Sequence, residues 1–392
     1  MRPSRLISPL ALIGCALGCG FGCGFSGSAT LPGEGPIDGP TDGSSFDPPW
    51  WNTEWSHRRQ VTVTTGPLTP DKGYVGYTAY LTTDTTGWPV QADCRDLRLL
   101  VWSAPNWKEL SFHRVGCGAG AEVRFAIPVE LAAGASWTGA YLYYGNAGAV
   151  QPLAVSPTSV YLWWDDATVD RSAEYVRGRM DPWQGTGHTA SFAWNAAGYY
   201  TYNNGNDAQE SVRRAVDERD VLVEAEWQHR GCYINNIQSG VCLRGIIATG
   251  AGATENADHY YCSSRAHHPD CNTVDDGLYD GDIVKSDNQV LAVNNPQNPG
   301  ALSALVWRKQ ALAAYGTNPT HLRFWDANTP WLRLGAPPTD ALLTSGDDAT
   351  DYEMRGFAGI MTSQDIAWVK GLIIRRYVEP EPTVTLGAAE AR

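Results

Sequence analysis

No lysine or arginine occurs between Arg5 and Arg58, and lysine is scarce in the whole chain. The formal balance of 29 Lys and Arg against 42 Asp and Glu leaves a net charge of −13. A field of that sign disfavours nucleic acid and anionic lipid as partners, and it tolerates neutral polymers, proteins and bound cations. The chain also lacks a Gly-x-Ser-x-Gly nucleophile turn, a phosphate loop, a Gly-x-Gly-x-x-Gly dinucleotide turn and a His-Glu-x-x-His metal motif. Common cofactor chemistry therefore has no support in the sequence. The apolar stretch at the start, Leu6 to Ile13, is too short to span a bilayer.

What the chain does hold is aromatic and turn-rich: 16 Trp, 18 Tyr, 41 Gly and 24 Pro in 392 residues. That length suggests two domains plus extras. Short aromatic strands broken by many turns suit an all-β fold built as sandwiches or barrels. Indole and phenol rings fill cores, and their flat, apolar, electron-rich faces also stack on sugar rings.

The N-terminus combines a short basic segment, Met1-Arg2-Pro3-Ser4-Arg5, with the apolar stretch, the pattern of a secretory signal. It ends in Leu12-Ile13-Gly14-Cys15, which resembles the lipobox of bacterial lipoproteins, where the Cys receives diacylglycerol. Ala16-Leu17-Gly18-Cys19 is a second match, and Cys23 a poorer third. Residues 1–23 are accordingly read as signal and lipidation region, with Cys15 or Cys19 as the acylated residue. Cleavage near Ser26 to Ala29, giving a freely secreted protein, is the alternative. Residues 24–49, mostly Gly, Ser, Pro, Asp and Thr, read as a flexible tether. The expected location is the cell envelope or outer surface, with the membrane reached through the lipid only.

Six cysteines remain: Cys94, Cys117, Cys232, Cys242, Cys262 and Cys271. An even number in an exported chain predicts three disulfides. Locality suggests Cys94–Cys117, Cys232–Cys242 and Cys262–Cys271, among the 15 pairings that six cysteines allow. His259, Cys262, His267, His268 and Cys271 could be read as zinc ligands, but their spacing fits no standard finger.

Residues 50–150 alternate in period two at Arg59–Thr64, Tyr74–Thr82, Leu97–Trp102, Val123–Ile127 and Ala140–Tyr144, with turn residues between, as in an antiparallel sandwich. Several segments carry a resemblance: the opening Trp50-Trp51-Asn52-Thr53-Glu54-Trp55-Ser56-His57-Arg58-Arg59, the central Arg95-Asp96-Leu97-Arg98, the Ala126-Ile127-Pro128-Val129 segment, and the closing Tyr141-Leu142-Tyr143-Tyr144-Gly145-Asn146-Ala147. Together they resemble the domain-of-unknown-function family 2341 of large bacterial and archaeal surface proteins. The resemblance implies an exported β-sandwich beside another sandwich, and no activity. Where that family carries a Gly before its Asp-Leu-Arg segment, this chain has Cys94-Arg95.

The second domain, residues 157–388, again alternates short strands with Gly, Asn and Asp turns; Asp220–Trp227, Ala301–Trp307 and His321–Trp325 read as strands. Its ending, Met354-Arg355-Gly356-Phe357-Ala358-Gly359-Ile360 and then Ile366 to Val378, resembles the last two strands of a concanavalin A-like, laminin-G-like jelly roll. That resemblance implies a final strand returning beside the domain's start. It places the chain among lectins, glucanases and spacers without choosing between them.

Two candidate sites follow. Glu224 and Glu226 would share one face of a strand, a geometry compatible with the paired carboxylates of a glycoside hydrolase. The Glu-x-Asp-x-x-Glu run of laminarinase-like enzymes is missing, and such a pair is more often the wet face over Val221, Val223 and Ala225. Asp275, Asp276, Asp280 and Asp282 form an acidic, turn-rich segment that could ligate calcium, but it lacks the spacing of an EF-hand. The sequence points to noncatalytic recognition of glycan or of an envelope protein. A surface glycoside hydrolase and a purely architectural protein are the alternatives.

Overall fold

The computed structural model describes residues 48–152, 156–179, 190–203, 210–232, 238–245, 261–266, 281–285, 289–294, 307–327, 342–349, 356–363 and 365–392. All of them belong to one compact unit, Asp38–Arg392. The proposed lipidation cysteines, the tether up to residue 47, Cys271, the zinc-candidate histidines and Asp275, Asp276 and Asp280 lie outside the described residues.

The expected fold class holds: the chain is all-β, with two antiparallel sandwiches, the second a jelly roll. The first sandwich is built from β1 (His57–Thr64), β2 (Thr78–Thr83), β3 (Arg98–Ser103), β4 (Asn106–Glu109), β5 (Phe112–Val115), β6 (Ala121–Ala126) and β7 (Ser136–Tyr144). Val61, Val63, Ala79, Leu81, Leu99, Val101, Phe112, Val123, Phe125 and Leu142 are buried. Along β1, β2 and β6 they fall on alternate positions, the period-two pattern of strands packing one face inward.

The jelly roll contains β8 (Trp163–Asp165), β9 (Val176–Arg179), β10 (Ala190–Asn195), β11 (Gly198–Asn203), β12 (Glu210–Ala215), β13 (Val221–Cys232), β14 (Gln238–Gly245) and β15 (Tyr261–Ala266). It continues through β16 (Gly281–Lys285), β17 (Gln289–Asn294), β18 (Arg308–Tyr315), β19 (Thr320–Ala327), β20 (Leu342–Asp348), β21 (Phe357–Ser363) and β22 (Asp365–Arg376). One sheet runs β10-β11-β22-β13-β18-β19-β20 with β8 beside β22; the facing sheet runs β17-β16-β15-β14-β21-β12-β9. Val223, Ala225, Trp227, Leu312, Phe324 and Val369 meet Val241, Leu243 and Ile360 between the sheets. The final strand β22 does return to the domain's start, through Leu372 opposite Asp165 and Ile374 opposite Trp163.

The expected limit of the second domain at residue 388 needs correction. β23 (Thr383–Leu386) pairs antiparallel with β1, Val63 opposite Val384, and β24 (Glu390–Ala391) pairs with its start. The first sandwich's larger sheet is therefore β23-β1-β7-β3-β4, its smaller one β2-β6-β5, and the jelly roll is inserted between β7 and β23. The physical reason is an open edge: β1 bonds β7 on one side and would otherwise leave its other edge unpaired.

The resemblance-bearing segments of the first sandwich have definite structural work. Asp96 accepts hydrogen bonds from the backbone N–H groups of Gly145 (2.8 Å) and Asn146 (3.3 Å) through Oδ2, and from that of Gln91 (2.9 Å) through Oδ1. It thereby ties the Asp-Leu-Arg turn to the Tyr-Tyr-Gly-Asn turn. Gly145 sits at φ +85°, where a side chain would strike Ser56 Oγ. Cys94 stands at φ +55°, in the left-handed region that favours glycine, and is bonded to Cys117. A non-glycine residue there costs about 1–2 kcal/mol. The cross-link, closing a sequence separation of 23 residues, is of a size that offsets this, at about 3 kcal/mol.

Candidate functional site: the outer face of the second sandwich

Strand β13 lies in the middle of its sheet, between β22 and β18. Alternation turns Val221, Val223, Ala225 and Trp227 into the jelly-roll core and sets Leu222, Glu224, Glu226 and Gln228 on the outer face. That face is divided. One half is covered by the β2-β6-β5 sheet of the first sandwich, and the other half extends beyond it.

The covered half is a buried ionic seam. Glu224 is fully buried, with Oε1 3.1 Å from Nζ of the equally buried Lys309. Burial pulls the Lys309 ammonium below the usual lysine range, and the Glu224 charge opposes that shift. From the first sandwich, Arg124 pairs with Glu122, and its Nη1 donates to Tyr161 Oη at 3.0 Å. Arg375 pairs with Glu381 of the C-terminal tail, and the Arg124 and Arg375 guanidiniums lie 5.3 and 4.8 Å from the Tyr80 ring centroid. Three cations, Arg124, Lys309 and Arg375, thus balance three carboxylates, Glu122, Glu224 and Glu381. Strand β6 is buried at five consecutive positions, Ala121 to Phe125, because both of its faces are covered. Beside it, His113 Nδ1 lies 2.9 Å from Tyr161 Oη, and burial with the Arg124 charge lowers its pKa to about 4.

The expectation that Glu224 and Glu226 form a wet pair over a half-buried strand is therefore corrected for Glu224: its face is roofed by another sheet. Glu226 lies at the margin of the seam. Its side chain keeps 14% exposure and its Oε2 lies 3.5 Å from Nζ of Lys370.

The open half carries rings. Tyr200 of β11 and Trp368 of β22 are partly exposed neighbours, centroids 5.3 Å apart at 60°. Trp307, just before β18, is partly exposed with Lys370 Nζ 4.0 Å from its ring centroid. Gln228, opposite Trp368, is buried at 6% exposure. Sequence reasoning named Glu226 but missed Tyr200, Trp307 and Trp368. Only the alternation within β22, with Trp368 and Lys370 two apart, could have signalled two of these residues on one face.

Other aromatic clusters are packed rather than presented. Trp50, Trp51 and Trp107 lie against Trp55, Tyr141 and Tyr143. Trp50 Nε1 donates to the Trp55 carbonyl (2.9 Å) and Trp55 Nε1 to that of Asp96 (2.7 Å). Asp165 is buried and accepts from the hydroxyls of Tyr175 and Tyr199, at 2.7 and 2.8 Å. Among the described residues no group of three or more His, Cys, Asp or Glu side chains is placed to hold a metal ion. Asp282 falls in β16, and Cys242 is disulfide-bonded. The β14–β15 backbone register sets Cys262 opposite Cys242.

No known family profile and no curated protein matches this chain. Solved structures align with part of it. A protein of unknown function with a galectin-like fold from Bacillus subtilis aligns at TM-score 0.32 and 7% identity, over 55% of this chain and 96% of its own. The metal-free carbohydrate recognition domain of Emp46p aligns at 0.33 and 9%, over 55% and 100%. The VIP36 exoplasmic/lumenal domain, bound to Ca2+ and Man3GlcNAc, aligns at 0.29 and 9%, over 55% and 98%.

Proposed function

We propose that this is an exported, lipid-anchored cell-envelope protein that recognises carbohydrate without acting on it. The observation that carries the reading is the open half of the jelly-roll's outer face, where Tyr200, Trp368 and Trp307 lie beside Glu226 and Lys370. Ring faces cover the apolar CH surface of a sugar, and a carboxylate and an ammonium exchange hydrogen bonds with its hydroxyls. Export is supported by the basic and apolar start, by Cys15 or Cys19 as lipid acceptor, and by a Cys94–Cys117 disulfide that suits an oxidising compartment. Glu224 offers no second carboxylate to a substrate, since it is sealed against Lys309 beneath the first sandwich.

The test is a glycan array probed with the purified chain, with calcium and with chelator, and repeated with Trp368→Ala. Binding that falls about tenfold in the variant, equivalent to about 1.4 kcal/mol, is the expected outcome. A blank array under both conditions overturns the reading in favour of a protein partner or an architectural role. Loss of binding in chelator alone would show a calcium requirement, with the acidic segment around Asp275, Asp276, Asp280 and Asp282 the first place to mutate.

A further inference from the structure

The strand register sets the open face in a row. Tyr200 stands opposite Trp368, and Trp368 opposite Gln228. Because Trp227 stands opposite Arg308, the next position outward brings Trp307 level with Gln228. The row thus crosses four neighbouring strands, β11, β22, β13 and the approach to β18. Strands lie about 4.8 Å apart, so three steps span about 14 Å. That is longer than one sugar ring, and the row is aromatic at both ends.

A second row runs parallel, toward the seam: Lys370 opposite Glu226, and Glu226 opposite the buried Lys309. Its charges are spent on one another. Lys370 serves both the Glu226 carboxylate and the Trp307 ring, at 3.5 and 4.0 Å. An acidic sugar laid on the aromatic row would meet the Glu226 carboxylate beside a cation already paired, in a protein of net charge −13.

Resting on the carbohydrate reading above, we propose that the ligand is an uncharged, linear oligosaccharide lying across the strands. Its rings cover Tyr200 and Trp368 at one end and Trp307 at the other. Length selectivity follows, because a single ring reaches one end of the row only.

Titration calorimetry on the full chain tests this with cello-, laminari-, manno- and xylo-oligosaccharides of increasing length, and with oligogalacturonides as acidic counterparts. In at least one neutral series, affinity should rise tenfold or more from one ring to the length that fills the row, then level off. Trp307→Ala should bring the long members down to the affinity of the short ones and leave the short ones unchanged, and Trp307→Phe should restore most of the loss. Trp368→Ala should weaken every length. Affinity independent of length, no effect of Trp307→Ala on long members, or preference for the oligogalacturonides overturns this inference while leaving carbohydrate recognition standing. No binding by any probe overturns both.

Discussion

Glu224 and Glu226 are two residues apart, point the same way, and meet different surroundings, which shows how far one residue's chemistry depends on what covers it. Glu224 lies under a second sheet and is held by Lys309, so its role is to neutralise a buried ammonium. His113 is the titrating counterpart in the same seam. Tyr161 Oη accepts from Arg124 and therefore turns its own proton toward His113 Nδ1, which must be unprotonated to accept it. With the folded pKa at about 4 against an ordinary 6.5, the unfolded chain takes up this proton first as pH falls. Stability is therefore intact above about pH 6.5 and is lost progressively between about 6.5 and 4, by about 3 kcal/mol from this group alone. His113→Gln should flatten the fall of Tm across that window relative to the parent. An unchanged profile would show that His113 titrates normally.

At the scale of elements, the strands that were legible are those whose apolar residues alternate. β1, β3, β7, β13 and β19 all coincide with segments expected from alternation, whereas the short β4–β5 region, Asn106–Val115, was not anticipated. β4 exposes both of its ends and lacks buried positions to mark a period. β23 was assigned to the wrong sandwich for a related reason. Thr383–Leu386 is half exposed, and nothing in four residues specifies which open edge they close. Ending the chain at Val378 should therefore do two kinds of damage: it opens the edge of β1 and leaves the Arg375 guanidinium, fully buried, without Glu381. Breaking a buried pair in this way costs about 3–5 kcal/mol. Denaturant unfolding of the truncated chain should show a loss of at least that size, with increased self-association. Parent-like stability would mean that the tail is an accessory.

For the whole molecule, insertion of the jelly roll between β7 and β23 means that both of its ends are tied to the first sandwich. Contacts flank the ionic seam as well: Asp220 accepts from the backbone N–H of Asp71 in the first sandwich (2.5 Å) and of Gly316 in the second (2.9 Å), and Arg376 donates to the Val75 carbonyl of the first sandwich. Separating the sandwiches would break these contacts and the Arg124–Tyr161 bond. Calorimetry should accordingly show the two sandwiches melting in one transition, and Glu224→Gln, which leaves Lys309 buried without its counter-charge, should lower it or split it. Two well-separated transitions in the parent protein would refute this coupling.

Period-two alternation and turn residues were enough to give an all-β chain of two antiparallel sandwiches, because these are local regularities written every second residue or in short spacings; the Cys94–Cys117 link, suggested by locality among 15 pairings, was settled by the structure. The roofing of Glu224, the return of residues 383–386 to β1, and the alignment of Tyr200, Trp368, Gln228 and Trp307 in one row came from tertiary structure alone. Each depends on which strands become neighbours and which sheet faces meet. Those choices are made between residues more than 300 positions apart, as Val63 and Val384 are, by the need to cover open edges and balance buried charge.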